Sequence, residues 1–367
     1  MHFKINNELL LPALNLLNGI VDVRQTITIL SHLHLHLKDN ILQLTGSDLE
    51  IELKIKIIVE QKQEGEVTLS CQNIFDFCRL LKTNAKITFE TTEQKKILVS
   101  SGKSQFVFAS LDASTYPHIA KIEPINSFNI KQTIFHKLLK EVSFCMANQD
   151  SRNYLNGALL EINNNLINFV ATDSYRLAIS STEIESVTDQ LIRIIVPRKS
   201  VIQLIKIMEN EDNYLNVQLA ENQLYLTIDN VAIIIRLIDE KYPIYERVIP
   251  KLLDKEIVID KELLRNSLLR TSILSSENVH GLKLEFFDNK LHFKATNVIK
   301  EVVDDELIID YQHEKVEFGF NVYYLLEALN NIESDQVKIS IKNGSYNCLI
   351  QDTNKKYPMY IVSPMLV

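Results

Sequence analysis

Residues 33–48 read LHLHLKDNILQLTGSD, and the pattern returns at 158–173 as ALLEINNNLINFVATD and at 282–297 as LKLEFFDNKLHFKATN. Aligned on Asp48, Asp173 and Asn297, which lie 125 and 124 residues apart, the three run backwards without a gap. The residue before the anchor carries a hydroxyl (Ser47, Thr172, Thr296), and the one before that is small (Gly46, Ala171, Ala295). Leu44, Phe169 and Phe293 align, as do Leu42, Ile167 and Leu291. Eight places before the anchor stand Asn40, Asn165 and Asn289, each following Asp39, Asn164 or Asp288. Apolar residues at every second position make a half-buried strand. The Asx-Asn pair suits the positive φ of a tight hairpin turn. Repetition at near-equal spacing means one unit used three times.

The rest of each unit agrees. A short strand (FKI, FNI or IVI) leads into a Leu/Ile-rich helical stretch: NELLLPALNLL, KQTIFHKLLKEVSF or DKELLRNSLLRTSIL. Asn7 and Asp260 are the expected N-caps, and Pro12 falls awkwardly inside the first helix. A second helix follows in each: QNIFDFCRLL, RKSVIQLIKIM and NVYYLLEALNNI. Each unit closes on alternating strands and a Tyr-Pro pair, at 116–117, 242–243 and 357–358. The expected fold is α+β, three tandem copies of a two-helix plus antiparallel-sheet domain, with boundaries at 1–124, 125–253 and 254–367.

The chain has 367 residues, 46% of them hydrophobic and 23% charged, which excludes a disordered chain. No apolar run has the length of a membrane span, and the N-terminus has no signal-peptide pattern. Four cysteines without CxxC spacing point to a reduced, cytoplasmic setting. Net charge is −8, yet the six helical windows (8–24, 72–82, 131–144, 198–208, 261–274, 321–332) carry +6 between them and leave −14 elsewhere. If the helices share a face, that face is basic and suits a polyanion backbone. A solvated helical face explains the same charges equally well.

Catalytic patterns are absent. GxGxxG, GxSxG and HExxH do not occur. Gly102-Lys103-Ser104 imitates the end of a P-loop, but Ile97 stands where the leading glycine belongs and the stretch reads as strand. Ser100 and Lys103 fit a Ser-x-x-Lys pattern of low specificity, the basis of a remote alternative as a hydrolase. His32, His34 and His36 share a strand face, but the repeat puts Gly, Leu, Lys or Glu at the matching positions. That register assigns them to the mostly polar side of the strand and argues against a metal. The acids Glu301, Asp304, Asp305, Glu306 and Asp310 lack the glycine and spacing of a calcium loop. They read as a solvated edge or a contact with another subunit. No metal and no cofactor is expected.

Seven stretches carry a resemblance to a known family: LTGSDLEIE (44–52), SFCMANQDSRNYLNGALLE (143–161), ATDSYRLA (171–178), IVPRKSVIQL (195–204), YPIYERVIP (242–250), GFNVYYLLEAL (319–329) and YIVSPM (360–365). Through them the chain resembles, over essentially its whole length, the bacterial DNA polymerase III β subunit, the replicative sliding clamp. The resemblance implies a non-catalytic, head-to-tail homodimer closing into a ring around duplex DNA, lined by twelve helices. It implies DNA-facing residues Arg24, Gln149, Tyr154, Arg198 and Lys199, with Asn153 where some relatives carry an aromatic residue.

The resemblance also implies a groove between the second and third domains for short peptides with a Gln and a Leu-Phe pair. Its owners would be the polymerase III catalytic subunit, the clamp loader, other polymerases and mismatch-repair proteins. Matched by motif, the groove comprises Leu155, Thr172, Ser174, Tyr175, Arg176 and Leu177, then Pro243, Arg247, Val248 and Tyr324, and finally Ile361, Ser363, Pro364 and Met365. Apolar members would seat the anchors, with arginines and hydroxyls at the rim. Ser174-Tyr175 replaces a Gly-His common in relatives, and the tail ends Met-Leu-Val in place of Met-Arg-Leu. The implied ring contact joins Phe106 and Phe108 on an edge strand to Ile273 and Leu274 of the other subunit. Lys95, Lys96 and Lys103 would then meet the acids at Glu301–Glu306. A clamp-fold protein scaffold without DNA function is the other reading of the same residues.

Overall fold

The computed structural model describes residues 1–21, 26–92, 94, 96–208, 213–250, 255–275, 280–341 and 347–366, with 186–189 by backbone only. Six α-helices occur among the described residues: α1 (Asn7–Asn18), α2 (Cys71–Arg79), α3 (Gln132–Ser143), α4 (Arg198–Ile207), α5 (Lys261–Ser272) and α6 (Val322–Asn330). They fall two to each repeat. The chain divides into two compact units, 1–136 with 199–238, and 137–198 with 239–367.

The anchor hairpins form as the alternation predicts. His32–Lys38 pairs antiparallel with Ile41–Ser47, and Gly281–Phe287 with Lys290–Thr296. Asp39 and Asn40 turn the first at φ 51° and 61°, and Asp288 and Asn289 turn the third at 47° and 61°. In the second copy strand runs from Gly157 to Thr172 with Asn164 at φ 54°. There Asn168 Nδ2 donates to Glu161 Oε1 at 3.0 Å, the register occupied by His292 and Glu285 in the third copy. In all three copies the Asx anchor accepts backbone N–H groups of the turn that follows. Asp48 Oδ1 takes those of Glu50 and Ile51, Asp173 Oδ1 those of Tyr175 and Arg176, and Asn297 Oδ1 that of Glu301. Short polar side chains suit such turns because they reach the backbone two and three residues on.

Sheets run from one copy into the next. In the first unit an eight-stranded sheet joins the copies where Val231–Ile235 pairs with Ile51–Ile55. In the second, a six-stranded sheet joins them where Met359–Val362 pairs with Arg176–Ile179. The last strand of one copy therefore pairs with the strand after the anchor of the copy before it. Two strands in the corresponding places have one edge unpaired among the described residues. These are Ser104–Ala109, at the end of a five-stranded sheet, and Val302–Ile308, at the end of a four-stranded one.

Several expectations change in detail. Asn6, not Asn7, is the N-cap of α1. Asn7 is the first helical residue, and its Nδ2 donates to the carbonyls of Cys78, in the last turn of α2, and Lys82, just past it. Pro12 stays inside the helix, whose Leu10, Leu14 and Leu17 are buried and each contribute roughly 2 kcal/mol. Asp260 caps α5 as expected, its Oδ1 accepting from Leu263 N at 2.9 Å. Gly102 and Lys103 form a hairpin turn between strands, with Gly102 at φ 58°. His34 is buried, not on an open polar face, because the segment carrying Tyr116 and His118 covers that side of the sheet.

Candidate docking pocket and DNA-facing residues

In the second unit a pocket of about 280 Å³ opens where four short segments meet. The 3₁₀ turn Asn153–Leu155 supplies Leu155, buried to 2% exposure, and the tight turn after Thr172 supplies Ser174 and Arg176. The segment Pro243–Val248, with a 3₁₀ turn at Tyr245–Arg247, forms a second wall. Ile361 and Ser363, at the end of Met359–Val362, close the third side beside Asn347.

Local chemistry explains this geometry. Thr172 Oγ1 donates to the Arg176 carbonyl at 2.6 Å and accepts from Ser174 N at 3.1 Å, which tightens the turn. Ser174 is left at φ 81°, a conformation L-residues avoid. Ser363 N donates to the Tyr175 carbonyl at 2.9 Å and so ties the C-terminal strand to that turn.

Of the fourteen residues matched to the groove, the structure brings nine together on the pocket: Leu155, Thr172, Ser174, Arg176, Leu177, Pro243, Val248, Ile361 and Ser363. The other five flank it. Tyr175 is 64% exposed on the turn, and Arg247 is exposed on the second wall. Tyr324 backs Arg176, and beyond Pro364 the Met365 N–H bonds the Gly319 carbonyl at 2.8 Å. Arg176 is not the open rim cation expected. Its Nε donates to Asp173 at 2.9 Å and its Nη2 to the Phe144 carbonyl at 2.7 Å, while Nη1 meets Glu327.

Arg152, Ile244, Tyr245 and Asn347 also line the pocket and were not among the expected residues. The first three lie inside two of the quoted motifs, so proximity in sequence was their available signal. Asn347 had none. Arg152 grips Asp150 through two hydrogen bonds of 2.9 Å and holds that carboxyl down at about 2.

The DNA-facing candidates separate. Arg24 lies outside the described residues. Gln149 is exposed at φ 59°. Tyr154 lines the pocket. Arg198 Nη1 donates to the Met146 carbonyl at 2.8 Å, and Lys199 Nζ pairs with Asp48 and donates to the Ile20 carbonyl at 3.4 Å. Other helical cations are also engaged: Lys137 with Glu333 and Arg270 with Asp305.

At the two open strand edges, Phe106 is 47% exposed and Phe108 half-buried, and past the end of α5 Ile273 is 77% exposed with Leu274 half-buried. The acids of the second edge have partners within the chain: Asp304 with His292, Glu306 with Lys290, and Glu301 with Asn297. Lys95 lies outside the described residues. All four cysteines are free and buried, and burial pushes the thiols of Cys71, Cys78 and Cys348 up to about 12. No three His, Cys, Asp or Glu side chains converge as metal ligands among the described residues, and no described helix is long and apolar enough to cross a membrane.

The first copy is joined to the second, and the second to the third, through a shared sheet, so one α+β domain is used three times in series. Models of the N-terminal, central and C-terminal domains of the DNA polymerase III beta subunit match residues 1–120, 129–244 and 246–366. The chain is 35% identical over 366 residues to a beta sliding clamp of Pseudomonas putida, and 34% identical over 367 to that of Escherichia coli K12. Each match covers 100% of both chains. A crystal structure of the Pseudomonas aeruginosa beta subunit superimposes with a TM-score of 0.96 at 34% identity, again covering 100% of both. The chain belongs to the DNA polymerase III beta subunit family, and its role is the general one of that family, a non-catalytic sliding clamp conferring processivity in DNA replication.

Proposed function

We propose that two copies of this chain close head to tail into a ring around duplex DNA and that the pocket is the dock for its partners. One observation carries the ring: the repeat pairs the last strand of one copy with the strand after the anchor of another, and two such edges lack a partner among the described residues. Ser104–Ala109 of one subunit against Val302–Ile308 of the next completes the pattern. An open edge is a template for another chain. Phe106 and Phe108 then cover Ile273 and Leu274, while Lys96 and Lys103 add to the ion pairs around Glu301–Glu306. The domains of each subunit are 1–124, 125–253 and 254–367.

DNA is held by enclosure, so contacts stay weak and blind to sequence. Arg24, Gln149, Tyr154, Arg198 and Lys199 are the residues proposed to meet it through salt-exchangeable contacts. The pocket residues Leu155, Leu177, Val248 and Ile361 receive a Leu-Phe pair from peptides of the polymerase III catalytic subunit, the clamp loader, other polymerases and mismatch-repair proteins. Met365 and Pro364 extend the groove along the tail. The setting is the cytoplasm.

Two measurements test this reading. Protein loaded on nicked circular DNA should be retained and should run off once the circle is cut. Equal loss from both forms would leave a protein scaffold of the same fold. A fluorescent Gln-x-x-Leu-Phe peptide should bind at micromolar concentration, about −8 kcal/mol, and more weakly to Met365→Ala.

A further inference from the structure

One wall of the pocket is polar. Leu155, Leu177, Tyr245 and Ile361 form an apolar floor, each between 2% and 6% exposed. Across it, Asn347 Nδ2 donates to the Val248 carbonyl at 3.0 Å, and Ser363 Oγ donates to Asn347 Oδ1 at 3.0 Å. Ser363 is itself fixed through its N–H on the Tyr175 carbonyl. The Asn347 carboxamide is therefore held from both ends, by groups on two different walls.

A primary carboxamide has two N–H donors and two acceptor positions. Among the described residues, one donor and one acceptor of Asn347 remain for a ligand. An apolar anchor pressed against them strips their water and returns no hydrogen bond. A second carboxamide offers the same pair in reverse and satisfies both. Asparagine has this group on a side chain close to leucine in size.

We infer that Asn347, braced by Ser363 and the Val248 carbonyl, is a specificity-determining residue that lets the pocket accept a peptide with a carboxamide side chain at the leucine anchor. This rests on the peptide-dock reading above and adds a preference to it. A site built to hydrogen-bond its ligand discriminates more sharply than an apolar one.

The test titrates labelled Gln-x-x-Leu-Phe and Gln-x-x-Asn-Phe peptides into the wild-type protein, Asn347→Leu and Ser363→Ala. The penalty for replacing the leucine anchor should be about tenfold smaller on the wild type than on Asn347→Leu, with Ser363→Ala between them. Asn347→Ala gives the same comparison should the leucine variant fold poorly. Penalties equal within twofold on wild type and variants, with the leucine peptide still binding, would overturn the inference and spare the dock. Failure of both peptides to bind the wild type would overturn the dock and the inference together.

Discussion

The guanidinium carbon of Arg176 lies 4.3 Å from the centre of the Tyr324 ring, and its Nε donates to Asp173 at 2.9 Å. With Glu327 on Nη1 and the Phe144 carbonyl on Nη2, this one side chain, 11% exposed, joins its own turn to Phe144 and to α6 behind the pocket. A planar fork can meet all of them at once while stacking on an aromatic face, and an ammonium cannot. Arg176→Ala should therefore cost about 3 kcal/mol in urea unfolding, because it leaves two carboxylates without their partner. Arg176→Lys should recover less than half of that loss. Recovery to wild-type stability by lysine would mean that charge alone matters here.

Ser174 sits at φ 81°, where a side chain crowds the backbone and glycine does not. Ser174→Gly should raise stability by about 1 kcal/mol, seen as a higher midpoint in thermal melts. An unchanged or lower midpoint would mean that the serine hydroxyl makes up for the strain.

Acid should weaken the first unit through His34. Its Nε2 is 3.3 Å from Glu66 Oε2, its Nδ1 is buried with no hydrogen-bond partner among the described residues, and the rings of His36 and His118 are 6.4 and 5.3 Å away. Burial first and His118 second lower its pKa from the ordinary 6.5, against the opposing pull of Glu66. Below 6.5 the unfolded chain takes up a proton that folded His34 refuses. Stability then falls by about 1.4 kcal/mol per pH unit until the lowered folded value is reached. His34→Leu should flatten part of the decline between pH 7 and pH 5. His32, whose pKa burial also lowers, acts in the same direction and is untouched by the substitution. A variant as acid-sensitive as the wild type would remove His34 from the account.

Charge at the proposed ring contact should give monomers. Ile273 is 77% exposed in the single chain, just past the end of α5, whose Arg270 pairs with Asp305 on the open-edged strand Val302–Ile308. Glutamates at Ile273 and Leu274 would be buried against Phe106 and Phe108 without partners, a cost of several kcal/mol. Sedimentation of Ile273→Glu/Leu274→Glu should show one subunit where the wild type shows two. A double variant that still sediments as a dimer would move the contact elsewhere.

The hairpins, their Asx turns, the helices and the threefold repeat were legible in the sequence by itself. They rest on alternation, capping and turn chemistry within a few residues, which act before any distant contact forms. The family motifs likewise pointed to nine of the pocket residues, because those sit in short turns whose local sequence is distinctive. Other features were decided only by tertiary structure. Arg176 and Lys199 read as available cations, yet both are engaged by acids that fold back from other segments, Lys199 by Asp48. His34 read as polar surface until the Tyr116–His118 segment covered it. Asn347 carries no local signal and reaches the pocket only because the third copy returns there beside Ser363. The physical reason is common to all of these: periodicity states which face of an element is apolar, while what meets that face depends on which distant strands pair.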